Sequence, residues 1–111
     1  MKMASLATLE DNAPNIARML SVLANKERIR ILCRLAKKRE ELSIAELTEG
    51  VAISQSALSQ HLTKLRKGGI ISVRRAGHNS FYRLADARAA QLAIALISVR
   101  FTPKSRHARC N

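Results

Sequence analysis

The stretch from Ser43 to Gly69 constrains the fold more than any other part of the chain, because it carries two helix starts and two helix stops in close succession. Ser43-Ile44-Ala45-Glu46 fits a capping box, in which the Ser43 hydroxyl and the Glu46 carboxylate each accept from a backbone N–H at the other's end of the first turn. Ile44 and Leu47 give this helix one apolar side, and Gly50 ends it early. Val51 to Ile53 form a tight connection, and Ser54 is suited to cap a longer helix. Leu58, Leu62 and Leu65 lie on one face of that helix until Gly68 and Gly69 stop it. A short helix, a tight turn and a longer helix make a helix-turn-helix unit.

The flanking segments supply what this unit needs for a core. Upstream, Ile16, Met19, Leu20 and Leu23 recur at helical spacing, and Asn25 suits the cap of a second helix carrying Ile29, Leu32, Cys33 and Leu35. Downstream, the alternating run Ile70 to Arg75, the turn Ala76-Gly77-His78-Asn79 and the segment Ser80 to Leu84 read as a β-hairpin. Asp86 then caps a last helix with Leu92, Ala95, Leu96 and Val99 on one side, ended by Pro103. The expected fold is mainly α with a small β-hairpin, a winged helix-turn-helix of about five helices with the wing before the last helix. One domain spans residues 1–103, and residues 104–111 form a basic tail.

The charge is not spread evenly along this layout. The 111 residues carry a net charge of +12. Residues 1–53 are close to balance, with nine basic and seven acidic side chains, whereas Ser54 to Ala85 hold six basic residues and no acidic one. That acid-free window coincides with the second helix of the helix-turn-helix and with the hairpin, the two elements that would approach an anionic polymer. With the leucines turned inward, Gln55, Ser56, Ser59, Gln60 and His61 fall on the outer and N-terminal surface of the helix, where short polar side chains reach base edges. Lys64, Arg66 and Lys67 toward the far end are placed for the phosphate backbone, Ser54 at the cap borders the same surface, and the hairpin adds Arg74, Arg75 and His78. The alternative readings are that His61 packs on the recognition helix and that His78 is an exposed turn residue. The chain therefore reads as a protein that binds double-stranded DNA. A general basic nucleic-acid-binding or architectural protein is the alternative, distinguished by its lack of sequence preference.

Other classes find little support. No nucleophile, base and orienting group stand in a recognisable arrangement, so no catalytic residue and no cofactor are expected. No apolar run approaches the length of a membrane span, and the N-terminus lacks a secretory layout, so a cytoplasmic protein is expected. The chain's two cysteines, Cys33 and Cys110, do not form a disulfide framework of the secreted kind.

The run SQSALSQHLTKLRKGGIISVRRAGHNSFYRL, Ser54 to Leu84, resembles the ArsR-type winged-helix transcriptional repressors, and LANKERIRILCRL, Leu23 to Leu35, extends the likeness upstream. The resemblance implies a homodimer built from the first and last helices, bound to an imperfect palindromic operator and released by an inducer. Many members of the family hold metal through a Cys-x-Cys pair at the start of the third helix, where this chain has Ser43 and Ala45. Others use histidines of the last helix, and none lies between Asp86 and Phe101. No metal site is expected. The segment ILCRL is similar to a branch that senses persulfides or oxidants through a second-helix cysteine and one at the end of the last helix. That likeness makes Cys33 and Cys110 a candidate thiol sensor, although Cys110 lies nine residues past Phe101, where the branch has its second cysteine. The alternative is that Cys33 is a small core side chain and Cys110 an idle thiol.

Overall fold

A computed structural model describes residues 10–38, 41–50 and 52–99. Among them are five helices, α1 (Ala13–Leu23), α2 (Lys26–Lys38), α3 (Ile44–Thr48), α4 (Gln55–Lys67) and α5 (Ala87–Ser98). Three strands accompany them, β1 (Leu42–Ser43), β2 (Ile71–Ala76) and β3 (Asn79–Leu84). This is the winged helix-turn-helix expected from the sequence, with the wing between α4 and α5.

Four of the helix starts are set by a side chain that satisfies orphan N–H groups. Asn25 Oδ1 accepts from the backbone of Glu27 at 2.8 Å and of Arg28 at 3.2 Å. Ser54 Oγ accepts from Ala57 N at 3.1 Å, and Asp86 Oδ1 from Ala89 N at 3.0 Å. The capping box at α3 is complete, with Glu46 N donating to Ser43 Oγ at 3.2 Å and Ser43 N to Glu46 Oε1 at 2.8 Å. At the other end of α4, Gly69 takes φ +78, a left-handed conformation that glycine adopts without strain. Ile70 N then donates to Leu65 O and Gly69 N to Arg66 O, each at 3.0 Å, which closes the helix in a Schellman arrangement and turns the chain into β2.

The core lies where α2, α3, α4 and the base of the wing meet. Ile31, Leu32 and Leu35 of α2 pack with Leu58, Leu62 and Leu65 of α4, with Leu47 of α3 and with Ile70 and Ile71 at the root of the wing. On α2 the sequence places Ile29 and Cys33 inward, yet both are half-buried and Ile31 is fully buried, so the stripe is rotated toward α4. The last helix differs in the same sense. Its buried residues are Ala89 and Ala93, Leu92 and Leu96 flank them, and Ala95 is exposed. The helix ends at Ser98, with Val99 already extended, and Pro103 lies outside the described residues.

The sheet is antiparallel with strand order β1-β3-β2. Val73 pairs with Tyr82 and Arg75 with Ser80 across the hairpin, while Leu42 and Ser43 pair with Tyr82 and Phe81 on its other edge. The third strand is a departure from the sequence reading, which held a hairpin alone. Two residues are too few for a period to show, and only the pairing with β3 defines β1 as a strand. Its effect is to tie the start of the helix-turn-helix to the wing.

Candidate nucleic-acid interface

The buried face of α4 decides its outer face. With Leu58, Leu62 and Leu65 at 1% exposure or less, the helix cannot roll, so Ser56 and Gln60 are exposed on the opposite side, Ser59 is exposed on its flank and Gln55 at its N-terminal end. Lys64, Arg66 and Lys67 continue this surface at the C-terminal end, and Ser54 is exposed at the cap. Ser59, Gln60, Thr63, Lys64 and Lys67 line a shallow concavity of about 380 Å³. A larger groove of about 770 Å³ lies behind the wing, between α2, β3 and α5, and does not include the exposed face of α4.

Two of the residues expected at this surface face other groups. His61 is half-buried and turned toward α2, where its Nδ1 lies 3.2 Å from Arg28 Nη1. Burial of the ring, then the Arg28 charge, push its pKa below the ordinary imidazole value, with Lys64 adding to them and Glu27 opposing. Arg74 lies on the wing with its guanidinium doubly bonded to Glu41, Nη2 to Oε1 at 2.8 Å and Nε to Oε2 at 2.9 Å. It also stacks 4.8 Å from the centre of the Phe81 ring. The pairing holds the Glu41 carboxyl below its usual range.

Arg75 projects from the other face of the hairpin, its Nη1 donating to Ser80 Oγ at 3.2 Å, and His78 is exposed at the tip. Sequence reasoning did not find Arg28 and Glu41 as partners of these groups. Each acts on a residue 33 positions away in the chain, and no local pattern carries that information.

Cys33 is half-buried on α2. Burial raises its thiol pKa, and the nearby Lys37 charge draws it partly back. Cys110, like the whole C-terminal tail, lies outside the described residues. Among the described residues no group of three or more His, Cys, Asp or Glu could hold a metal ion, and no helix is long and apolar enough to cross a membrane.

A family model for arsR-family bacterial regulatory proteins matches residues 25–73, from the cap of α2 to the middle of β2. The transcriptional activator HlyU of Vibrio cholerae is 40% identical over 82 residues, which cover 74% of either chain. This chain belongs to the arsR family. The arsR assignment extends to the three-dimensional level. The transcriptional repressor BigR from Xylella fastidiosa superposes with a TM-score of 0.79 at 35% identity, covering 89% of this chain and 99% of BigR. The homodimeric winged helix-turn-helix DNA-binding domain of Mb0332 from Mycobacterium bovis gives 0.67 at 30% identity, with 86% of each chain covered. As an arsR-family member the protein is a DNA-binding regulator of transcription, and the helix-turn-helix lies inside the matched segment.

Proposed function

We propose that this chain is a homodimeric, sequence-specific repressor that binds an imperfect palindrome in double-stranded DNA and leaves it in response to an inducer. The observation that carries the reading is the exposed face of α4, which is polar at its N-terminal end, basic at its C-terminal end and without an acidic residue. Gln55, Ser56, Ser59 and Gln60 take the base edges, and Ser54, Lys64, Arg66, Lys67, Arg75 and His78 the phosphates. In this reading His61 and Arg74 act one step back from the DNA, holding the elements that touch it.

The dimer would use α1 and α5. Among the described residues the exposed large apolar side chains are Ile16 and Leu20 on α1, Ile94 and Ile97 on α5, and Val99 just beyond it. Mb0332, which has this fold, is a homodimer. A two-fold pair places its recognition helices in successive major grooves about 34 Å apart, which demands an inverted repeat. For the inducer, Cys33 on α2 with Cys110 is the candidate sensor of a thiol-reactive sulfur species or oxidant.

Selection of bound duplexes from random DNA, followed by competition, tests the function. The expected result is an inverted repeat preferred about a thousandfold over random duplex. Equal affinity for both would replace the repressor by an architectural DNA-binding protein. Persulfide or peroxide treatment of wild-type protein and of Cys33→Ser tests the inducer, with operator release expected for wild type alone.

A further inference from the structure

The end of α1 is gripped on two sides by groups that belong to, or are bonded to, the recognition helix. Arg28 sits in the first turn of α2, its backbone fixed by the Asn25 cap. Its Nε donates to the Val22 carbonyl at 2.6 Å, and its Nη1 reaches His61 Nδ1 at 3.2 Å, so one guanidinium ties the C-terminal turn of α1 to the middle of α4. The second grip is steric. At Gly68, where α4 ends, a Cβ would fall 2.8 Å and 3.0 Å from the two methyl groups of Val22, so only glycine lets the end of α4 close on the same residue. Val22 is thus held by its carbonyl through Arg28 and by its side chain against Gly68.

We infer that Val22, Arg28, His61 and Gly68 form a clamp that sets the angle between α1 and the recognition helix, and that the clamp holds only while His61 is unprotonated. The inference rests on the operator-binding dimer proposed above, in which α1 belongs to the dimer contact. Arg28 is then a positioning residue, placing the recognition helix of one protomer relative to that of its partner.

The chemistry of the bond sets its dependence on protons. Nδ1 can accept from Arg28 only as a bare nitrogen, with the ring proton on Nε2. Once the ring is doubly protonated, Nδ1 becomes a donor facing a donor, and a cation faces the Arg28 guanidinium from α2 and the Lys64 ammonium from its own helix. The Val22 carbonyl that α1 contributes is already taken by Arg28.

Glu27 of α2 is the acidic group acting on the ring. Its Oε2 is bonded to Arg30 Nη1 at 2.9 Å, whereas Oε1 is buried with no partner among the described residues. The carboxylate charge that this unsatisfied oxygen carries favours the protonated ring. Protonation therefore breaks the α4 end of the Arg28 bridge while the bond to Val22 remains, so Arg28 is left joined to α1 and no longer to the recognition helix, and these are the two states a switch requires.

The test compares two duplexes, the selected palindrome and a single half-site, by fluorescence anisotropy at about pH 8 and about pH 5, the lower value set well under the ordinary imidazole range because burial and Arg28 depress His61. A half-site engages one recognition helix and is blind to the angle between two. Wild-type affinity for the palindrome should fall about tenfold at the lower pH, while half-site affinity does not fall with it. His61→Gln keeps an acceptor for Arg28 but cannot titrate, so its palindrome-to-half-site ratio should be the same at both pH values. Arg28→Ala and Gly68→Ala should each lower that ratio about tenfold at pH 8.

An Arg28→Ala ratio equal to wild type, or a His61→Gln variant that keeps the wild-type pH dependence, would overturn the clamp while the operator reading stands. Wild-type protein that prefers neither duplex to random DNA at pH 8 would overturn the operator reading and the clamp with it.

Discussion

Replacing Leu20 and Ile97 together by Asp should convert the protein to a folded monomer. Ile16, Leu20, Ile94, Ile97 and Val99 are between 43% and 53% exposed in the single chain, so about half of each side chain remains to be buried. Full burial of such a side chain is worth about 1.5–3 kcal/mol, so the missing half is worth about 1 kcal/mol each. Five such side chains on each of two protomers give a gross gain of about 10 kcal/mol, to be set against an association penalty of about 4–15 kcal/mol. The balance is narrow, and the dimer is sensitive to small losses. The double substitution alters four positions in the dimer, removing about 4 kcal/mol of burial and weakening association about a thousandfold. Carboxylates forced into the contact add to that loss. Sedimentation equilibrium from nanomolar to micromolar protein reads the dissociation constant, and circular dichroism checks that the monomer is folded, since neither side chain belongs to the buried core. A double variant that dimerises as tightly as wild type would refute the placement of the dimer contact on α1 and α5.

Three further sets of measurements address the interface, the fold and the thiol. Arg75→Ala should flatten the dependence of operator affinity on salt by about 0.9 log units per log unit for each phosphate that Arg75 neutralises, while Arg74→Ala should leave the slope within error because Glu41 already neutralises that guanidinium. Equal slopes for the two variants would contradict the division of labour on the wing. Ser43→Ala breaks the capping box of α3 and should lower stability by about 1 kcal/mol, seen as a fall of about 4–8 °C in Tm by differential scanning calorimetry. For the thiol, iodoacetamide should alkylate Cys33 with a pH midpoint above that of a free cysteine, since burial outweighs the pull of Lys37. A midpoint below it would mean that the thiol is activated.

What was legible in the sequence follows from how local the responsible physics is. The caps at Asn25, Ser43, Ser54 and Asp86, the stop at Gly68-Gly69 and the leucine face of α4 are all settled within a turn or two of chain, and each could be read before any tertiary neighbour was known. The exposed face of α4 followed as the complement of its leucines. Helix rotation was less legible. On α2 and α5 apolar residues occupy more than one side, and only the tertiary neighbours choose Ile31 over Ile29 and Ala93 over Ala95. The same surplus on α1 leaves Ile16 and Leu20 uncovered, so a helix that looks like ordinary core in one dimension becomes a candidate contact with a second copy.

The directions of polar side chains were the least legible, and His61 and Arg74 show why. A basic or imidazole side chain on a DNA-facing element reads as a DNA contact because composition records its charge and not its partner. Glu41 lies outside the acid-free window in sequence but beside the wing in space, because β1 draws the chain before α3 onto the edge of β3. Of the two arginines side by side on β2, Arg74 is therefore neutralised and Arg75 is not, a difference that arises from strand alternation and one long-range ion pair. The field presented to DNA is correspondingly narrower than the charge count suggests. It concentrates on the C-terminal half of α4 and one face of the wing, where Lys64, Arg66, Lys67 and Arg75 have no salt-bridge partner among the described residues.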